Sequence, residues 1–89
     1  MRAIVTVLGR DRVGIMSLVC SLLAGHNVNI LDISQTILQE NFTMVMLVDA
    51  GGCDIPFADL AALLEREGES HSLSIHAQRE DIFHAMHRI

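Results

Sequence analysis

The sequence predicts an α+β fold, a ferredoxin-like βαββαβ sandwich with a four-stranded antiparallel sheet and an extra short C-terminal helix. Three observations carry that expectation. Strand-like and helix-like periodicities follow one another in the order strand, helix, strand, strand, helix, strand along the 89 residues. The first and third strand segments are apolar on both faces, as the two central strands of this topology require, while the second and fourth are less so. The chain is also short enough for one domain only, and a chain of this size hides about 60% of the surface its unfolded form exposes.

Each element has its own local reason. Arg2 to Leu8 is rich in β-branched residues, with Ile4, Thr6 and Leu8 on one face and Ala3, Val5 and Val7 on the other, and Gly9 is expected to break the strand. Asp11 then stands as the N-cap of a helix running to about Ala24, which Gly25 ends. Ile15, Leu18, Val19 and Leu22 follow helical spacing there, widened by Met16, Cys20 and Leu23. From Asn27 to Leu38 the alternation slips phase: Val28 and Ile30 share one parity, Leu31, Ile33 and Ile37 the other. That slip predicts an edge strand with a bulge near Ile30 to Asp32. Glu40-Asn41 turns the chain into a cleanly alternating strand from Phe42 to Asp49.

Pro56 and Gly68 bracket a second helix, Phe57 to Glu67, whose inner face is Phe57, Leu60, Ala61 and Leu64. His71, Leu73, Ile75 and Ala77 alternate with Ser72, Ser74, His76 and Gln78 in a half-exposed strand. The last residues read as a short amphipathic helix through Ile82, Ala85, Met86 and Ile89. One sheet face carries the helices. The other is expected to present Val5, Val7, Val45 and Leu47 to a partner subunit or to the C-terminal helix.

Composition excludes several functions. All six basic residues are arginine, so neither a Schiff-base lysine nor a P-loop lysine exists in the chain. A net charge of −5, three phenylalanines and no tryptophan or tyrosine do not make a nucleic-acid surface. Cys20 and Cys53 are too few for a disulfide framework and read as reduced cysteines of a cytoplasmic protein. Gly9-Arg10-Asp11-Arg12 interrupts the apolar N-terminus before it could serve as a signal-peptide core, and no run approaches a membrane span. With 51% hydrophobic residues and a mean hydropathy of +0.40, the chain has more apolar surface than so small a core can bury, which points to a homodimer.

Two segments hold the candidate chemistry. In Gly9-Arg10-Asp11-Arg12-Val13-Gly14 the first strand turns into the first helix. Unpaired N–H groups and the positive end of the helix dipole meet there, a setting for a carboxylate or phosphate. Gly14 leaves the backbone approachable, and Asp11 either caps the helix or faces a ligand ammonium. In Asn27-Val28-Asn29-Ile30, Asn29 brings an amide donor and an acceptor, which suit both ends of an amino acid. Of the five histidines, His84 and His87 stand at i, i+3, too few ligands for a specific metal site, and the methionines sit at core spacing.

The turn Gly9-Arg10-Asp11-Arg12-Val13-Gly14-Ile15, then Asn27-Val28-Asn29-Ile30, then Ile33-Ser34-Gln35-Thr36, resembles an ACT domain, a small βαββαβ module that binds amino acids and regulates metabolic enzymes or repressors. The resemblance places the domain at residues 1–79 and leaves 80–89 as a C-terminal helical extension, similar to the ending of short free-standing ACT proteins related to glycine-cleavage-type repressors. It implies a ligand at a dimer interface, between the strand-one turn of one subunit and the second strand of the other. Asp11, Arg12, Val13 and Gly14 would form one side, and Asn29, Ile30 and Leu31 the other. Val13 stands where many members have proline, and Gly9 where some have histidine. The implied function is non-enzymatic: sensing a small amino acid and acting in trans on a protein partner, with no cofactor and no metal. A ligand-free dimerisation adaptor and an acylphosphatase-like hydrolase using Arg10 or Arg12 are the alternatives.

Overall fold

The computed structural model describes residues 1–10 and 13–81. Asp11, Arg12 and residues 82–89 lie outside the described residues, and with them most of the expected C-terminal helix. The elements are β1 (Arg2–Arg10), α1 (Ile15–Gly25), β2 (Asn29–Leu38), β3 (Asn41–Asp49), α2 (Phe57–Ser70) and β4 (Ser74–Arg79). The strands form one antiparallel sheet in the order β2-β3-β1-β4, so β1 and β3 are central, as their two-sided apolar pattern demands.

The helix-covered face of the sheet holds the core. Ala3, Val5 and Val7 of β1 lie beside Met44, Met46 and Val48 of β3, under Val19 and Leu23 of α1 and Leu60 and Leu64 of α2. Each of the valine, leucine and methionine side chains contributes about 1.5–3 kcal/mol by leaving water. This corrects the assignment of Val5 and Val7 to the open face. Cross-strand partners share a face, and the register puts Val5 opposite Met46 but Ile4 opposite Leu47 and Thr6 opposite Val45. The open face is therefore built on Ile4, Thr6, Leu8, Val45 and Leu47.

The phase slip in β2 is a bulge. Ile30 pairs with Val48 and Asp32 with Leu47, leaving Leu31 as the extra residue. Leu38 pairs with Asn41, so Gln39-Glu40 is the two-residue turn, one position before the expected Glu40-Asn41.

Both helices end on the same device. After α1, Asn27 is left-handed (φ 61); its N–H donates to the Ala24 carbonyl, and the Val28 N–H to that of Leu23. After α2, Ser72 is left-handed (φ 58), with the Ser72 N–H donating to Glu69 and the Leu73 N–H to Gly68. These are Schellman endings, closed by buried Val28 against Leu23 in one case and by buried Leu73 in the other.

Three glycines consequently play other parts than expected. Gly25 is the last residue of α1 rather than its terminator, and Gly68 lies within α2, which continues to Ser70. A Cβ on Gly68 would sit 2.9 Å from both the Leu73 carbonyl and Ile75 Cγ1, so the small residue lets α2 approach β4. Gly9 does not break β1: it pairs with Phe42, and a Cβ there would come 2.5 Å from Leu73 Cδ2.

Candidate functional site at the start of α1

The first helix begins at Ile15, with Gly14 in the cap position at φ 94, a left-handed conformation that costs other residues strain. The expected N-cap, Asp11, stands three residues too early. The first bond of α1 runs from the Leu18 N–H to the Gly14 carbonyl at 2.9 Å, so the N–H groups of Ile15, Met16 and Ser17 have no intrahelical acceptor. A Cβ on Gly14 would meet nothing within 4 Å, and Val13 is fully exposed. An open cleft of about 300 Å³ lies here, lined by Val13, Gly14, Ile15, Leu18 and His71.

Val13 and Gly14 thus stand where the sequence puts a ligand, beside N–H groups that no carbonyl of the helix accepts and the positive end of its dipole. Asp11 and Arg12 of the same turn lie outside the described residues. His71 is an addition. It is the residue after α2, not part of an alternating strand, and its Nδ1 lies 2.9 Å from the main-chain oxygen of Glu67. The signal was in the sequence: Ser70-His71-Ser72-Leu73 parallels Gly25-His26-Asn27-Val28, a helix end in both places.

The other expected half of the site lies at the opposite end of the sheet. Asn29 pairs with Asp49, which pairs with Arg2, whereas the turn after Arg10 adjoins Asn41 and Leu38. Eight residue steps along β1 separate those ends, about 26 Å. Asn29 is exposed, Ile30 is half-buried, and Leu31 in the bulge is 47% exposed. One chain therefore does not bring Asn29, Ile30 and Leu31 to Val13 and Gly14.

Around Asn29 the polar contacts are structural. Asp49 Oδ1 accepts from the Gly51 N–H at 2.9 Å and from the Met1 ammonium at 3.3 Å. The Gly51 bond first, then the hydrogen bond and charge of the Met1 ammonium, hold the Asp49 carboxyl below its usual range. Asn27 Nδ2 donates to the Gly52 carbonyl at 3.0 Å, and His26 Nδ1 lies 2.8 Å from Asp54 Oδ1, together fastening the loop after β3 to the end of α1. Among the described residues no three histidines, cysteines or carboxylates cluster for a metal, and no helix is long and apolar enough to cross a membrane. Cys20 and Cys53 are free, half-buried thiols.

A βαββαβ order with one four-stranded antiparallel sheet and both helices on one face defines the ferredoxin-like class of small α+β domains. The family model for the ACT domain matches residues 2–78, and the chain belongs to the ACT domain family. The UPF0237 protein of Bifidobacterium longum (strain NCC 2705) is 49% identical over 88 residues, which are 99% of this chain and 98% of that protein. An ACT domain protein from Streptococcus pneumoniae has the same fold, with a TM-score of 0.82 and 38% identity over 93% of each chain. A formyltetrahydrofolate deformylase from Pseudomonas syringae pv. tomato str. DC3000 shares the fold at 23% identity and a TM-score of 0.78, with 88% of this chain matching 27% of the deformylase.

Proposed function

We propose that the protein is a cytoplasmic, non-enzymatic sensor. Two copies bind a small amino acid between them and pass that state to a protein partner. The observation that carries this reading is the separation of the site's halves: Val13 and Gly14 at one end of the sheet, Asn29 to Leu31 at the other. β2 is an edge strand, and two such edges meeting antiparallel set the start of one strand beside the end of the other. That pairing brings Asn29, Ile30 and Leu31 of one copy to the end of the sheet where the second copy holds its glycine turn. It also covers Leu31, Ile37 and Leu38, which are 47%, 53% and 71% exposed in the single chain. The resemblance adds Asp11 and Arg12, which precede Val13 in the sequence, to the proposed binding set.

Light scattering on the full chain should give a dimer, and thermal unfolding against the twenty amino acids should single out one or a few. A ligand at about 100 times its dissociation constant adds about 2.7 kcal/mol, a shift of several degrees in so small a domain. A monomer at micromolar concentration would sink the shared site. A dimer indifferent to every amino acid would instead favour the ligand-free adaptor, a reading supported by the exposed apolar residues alone.

A further inference from the structure

The face of the sheet opposite the helices is apolar only along its middle. Ile4 and Leu8 of β1 lie on it with Val45 and Leu47 of β3, and Leu8 and Val45 are 43% and 37% exposed. The edge strands turn polar side chains to the same face. The register sets Ser74, His76 and Gln78 of β4 beside Leu8, Thr6 and Ile4. On the other side it sets Asp32, Ser34 and Thr36 of β2 beside Leu47, Val45 and Thr43. The apolar strip is thus two strands wide, about 10 Å, which is the width of one helix. A second sheet stacked on this face would bury both polar margins along with the strip.

The chain itself brings a helix start to the rim of that strip. Glu80 follows β4 directly, and Glu80 and Asp81 are helical. The Glu80 carboxylate meets the Arg2 guanidinium at 3.0 Å. Arg2 stands two residues before Ile4 and so shares the open face by alternation, which ties the helix start to that face. In the sequence beyond, Ile82, Phe83, Ala85, Met86 and Ile89 fall on one side of a helix, and His84, His87 and Arg88 on the other. As a helix, residues 80–89 span about 15 Å, against about 13 Å from Ile4 to Leu8. We propose that residues 82–89 continue this helix across the open face of their own sheet, their apolar side covering Ile4, Leu8, Val45 and Leu47. The helix starts one strand away from β1 with no linker before it, so the cover comes from the same copy. The tail thereby closes this face to stacking and leaves the β2 edge as the surface for a second copy. This goes beyond the ligand reading and does not depend on it.

The test keeps the full chain. In a background of Cys20→Ser and Cys53→Ser, Val45→Cys and Met86→Cys are introduced together and treated with a short bismaleimide. Linkage within one copy is expected, seen as monomer mass in denaturing electrophoresis with both thiols consumed. The control pairs Met86→Cys with Glu65→Cys, an exposed residue of α2 on the far side of the sheet, and should not link. A product of twice the monomer mass would give the face to a second copy. Absence of linkage, or equal linkage of the control, would show that the tail does not lie on the strip. Any of these overturns the proposal. A second measurement sets a charge on either side of the helix. Met86→Asp should raise the binding of a hydrophobic dye severalfold, and His84→Asp should leave it as in the wild type, both variants being checked for folding by circular dichroism. Equal dye binding by the two variants overturns the cover as well.

Discussion

The two βαβ halves of the chain finish their helices alike and start them differently. After α1 and after α2 a left-handed residue, Asn27 or Ser72, turns the backbone, and a buried Val28 or Leu73 closes the end. At the other ends the halves diverge. Pro56 leads into α2 in extended conformation (φ −58, ψ 148), the Asp59 N–H donates back to the Pro56 carbonyl, and the Asp59 carboxylate sits in the first turn against the helix dipole. α1 has no acid in its first turn and a left-handed glycine before it. The shared endings serve the fold, since either helix must reverse cleanly into an edge strand. Among the described residues, a carboxylate thus stands at the positive end of α2 and none at that of α1.

The comparison can first be tested where the halves should agree. Leu23→Ala in α1 and Leu64→Ala in α2 remove fully buried side chains from one shared core. Each should cost about 2–5 kcal/mol in urea unfolding. A loss below 1 kcal/mol at either site would mean that one half is not packed into the common core.

It sharpens at two glycines of the first half. Gly14→Ala has room for its methyl group but must adopt φ 94, so the backbone alone should cost about 1–2 kcal/mol. Gly25→Ala also has room, inside the helix, and should gain about 1 kcal/mol. Opposite signs in chemical denaturation are the expected result. Two gains would show that Gly14 does not hold the turn in its left-handed form.

The matching helix ends separate next, by a smaller margin. Ser72→Gly relieves a strained left-handed residue and should stabilise by about 0.5–1 kcal/mol. Asn27→Gly relieves less, because asparagine tolerates that conformation, and it forfeits the bond from Nδ2 to the Gly52 carbonyl. A net loss of about 1 kcal/mol is expected there. Equal gains at both positions would make the Asn27–Gly52 bond energetically irrelevant.

Much of this was legible in the sequence, and what escaped has a common cause. Element order follows from period, and the bulge at Leu31 from a parity change between Ile30 and Ile33, because both are local signals. The face of Val5 and Val7 is not local. β1 is apolar on both sides, and only the register against β3 tells which side meets the helices. Helix ends misled for a related reason. Gly25 and Gly68 resemble terminators, yet the left-handed positions fall on Asn27 and Ser72. Reading Ser72 as strand moved His71 from a helix end to a β-strand and hid its place in the cleft. The glycine turn and Asn29 stood out as polar or permissive residues at element boundaries. That they lie at opposite ends of one sheet is a matter of topology, and spacing along the chain does not carry it.

Those two sheet ends give the smallest and most condition-dependent contrast. At the Asn29 end, Asp49 is held ionised by the Gly51 N–H and the Met1 ammonium, so its folded pKa lies below the unfolded value of 3.8. A lowered carboxylate stabilises the fold above its unfolded pKa, and that contribution disappears as pH falls through the folded value. Asp49→Asn should therefore lower the urea midpoint slightly at pH 7, and the gap to the wild type should begin to narrow below about pH 4 and close only as pH falls through the folded value. The group is exposed, so salt should shrink the pH 7 difference as well. A gap that does not narrow at all as pH falls from 5 into the acid range would assign the loss to the side chain's shape rather than to its charge. The end of the sheet that carries Asn29 would then be held by side-chain geometry alone.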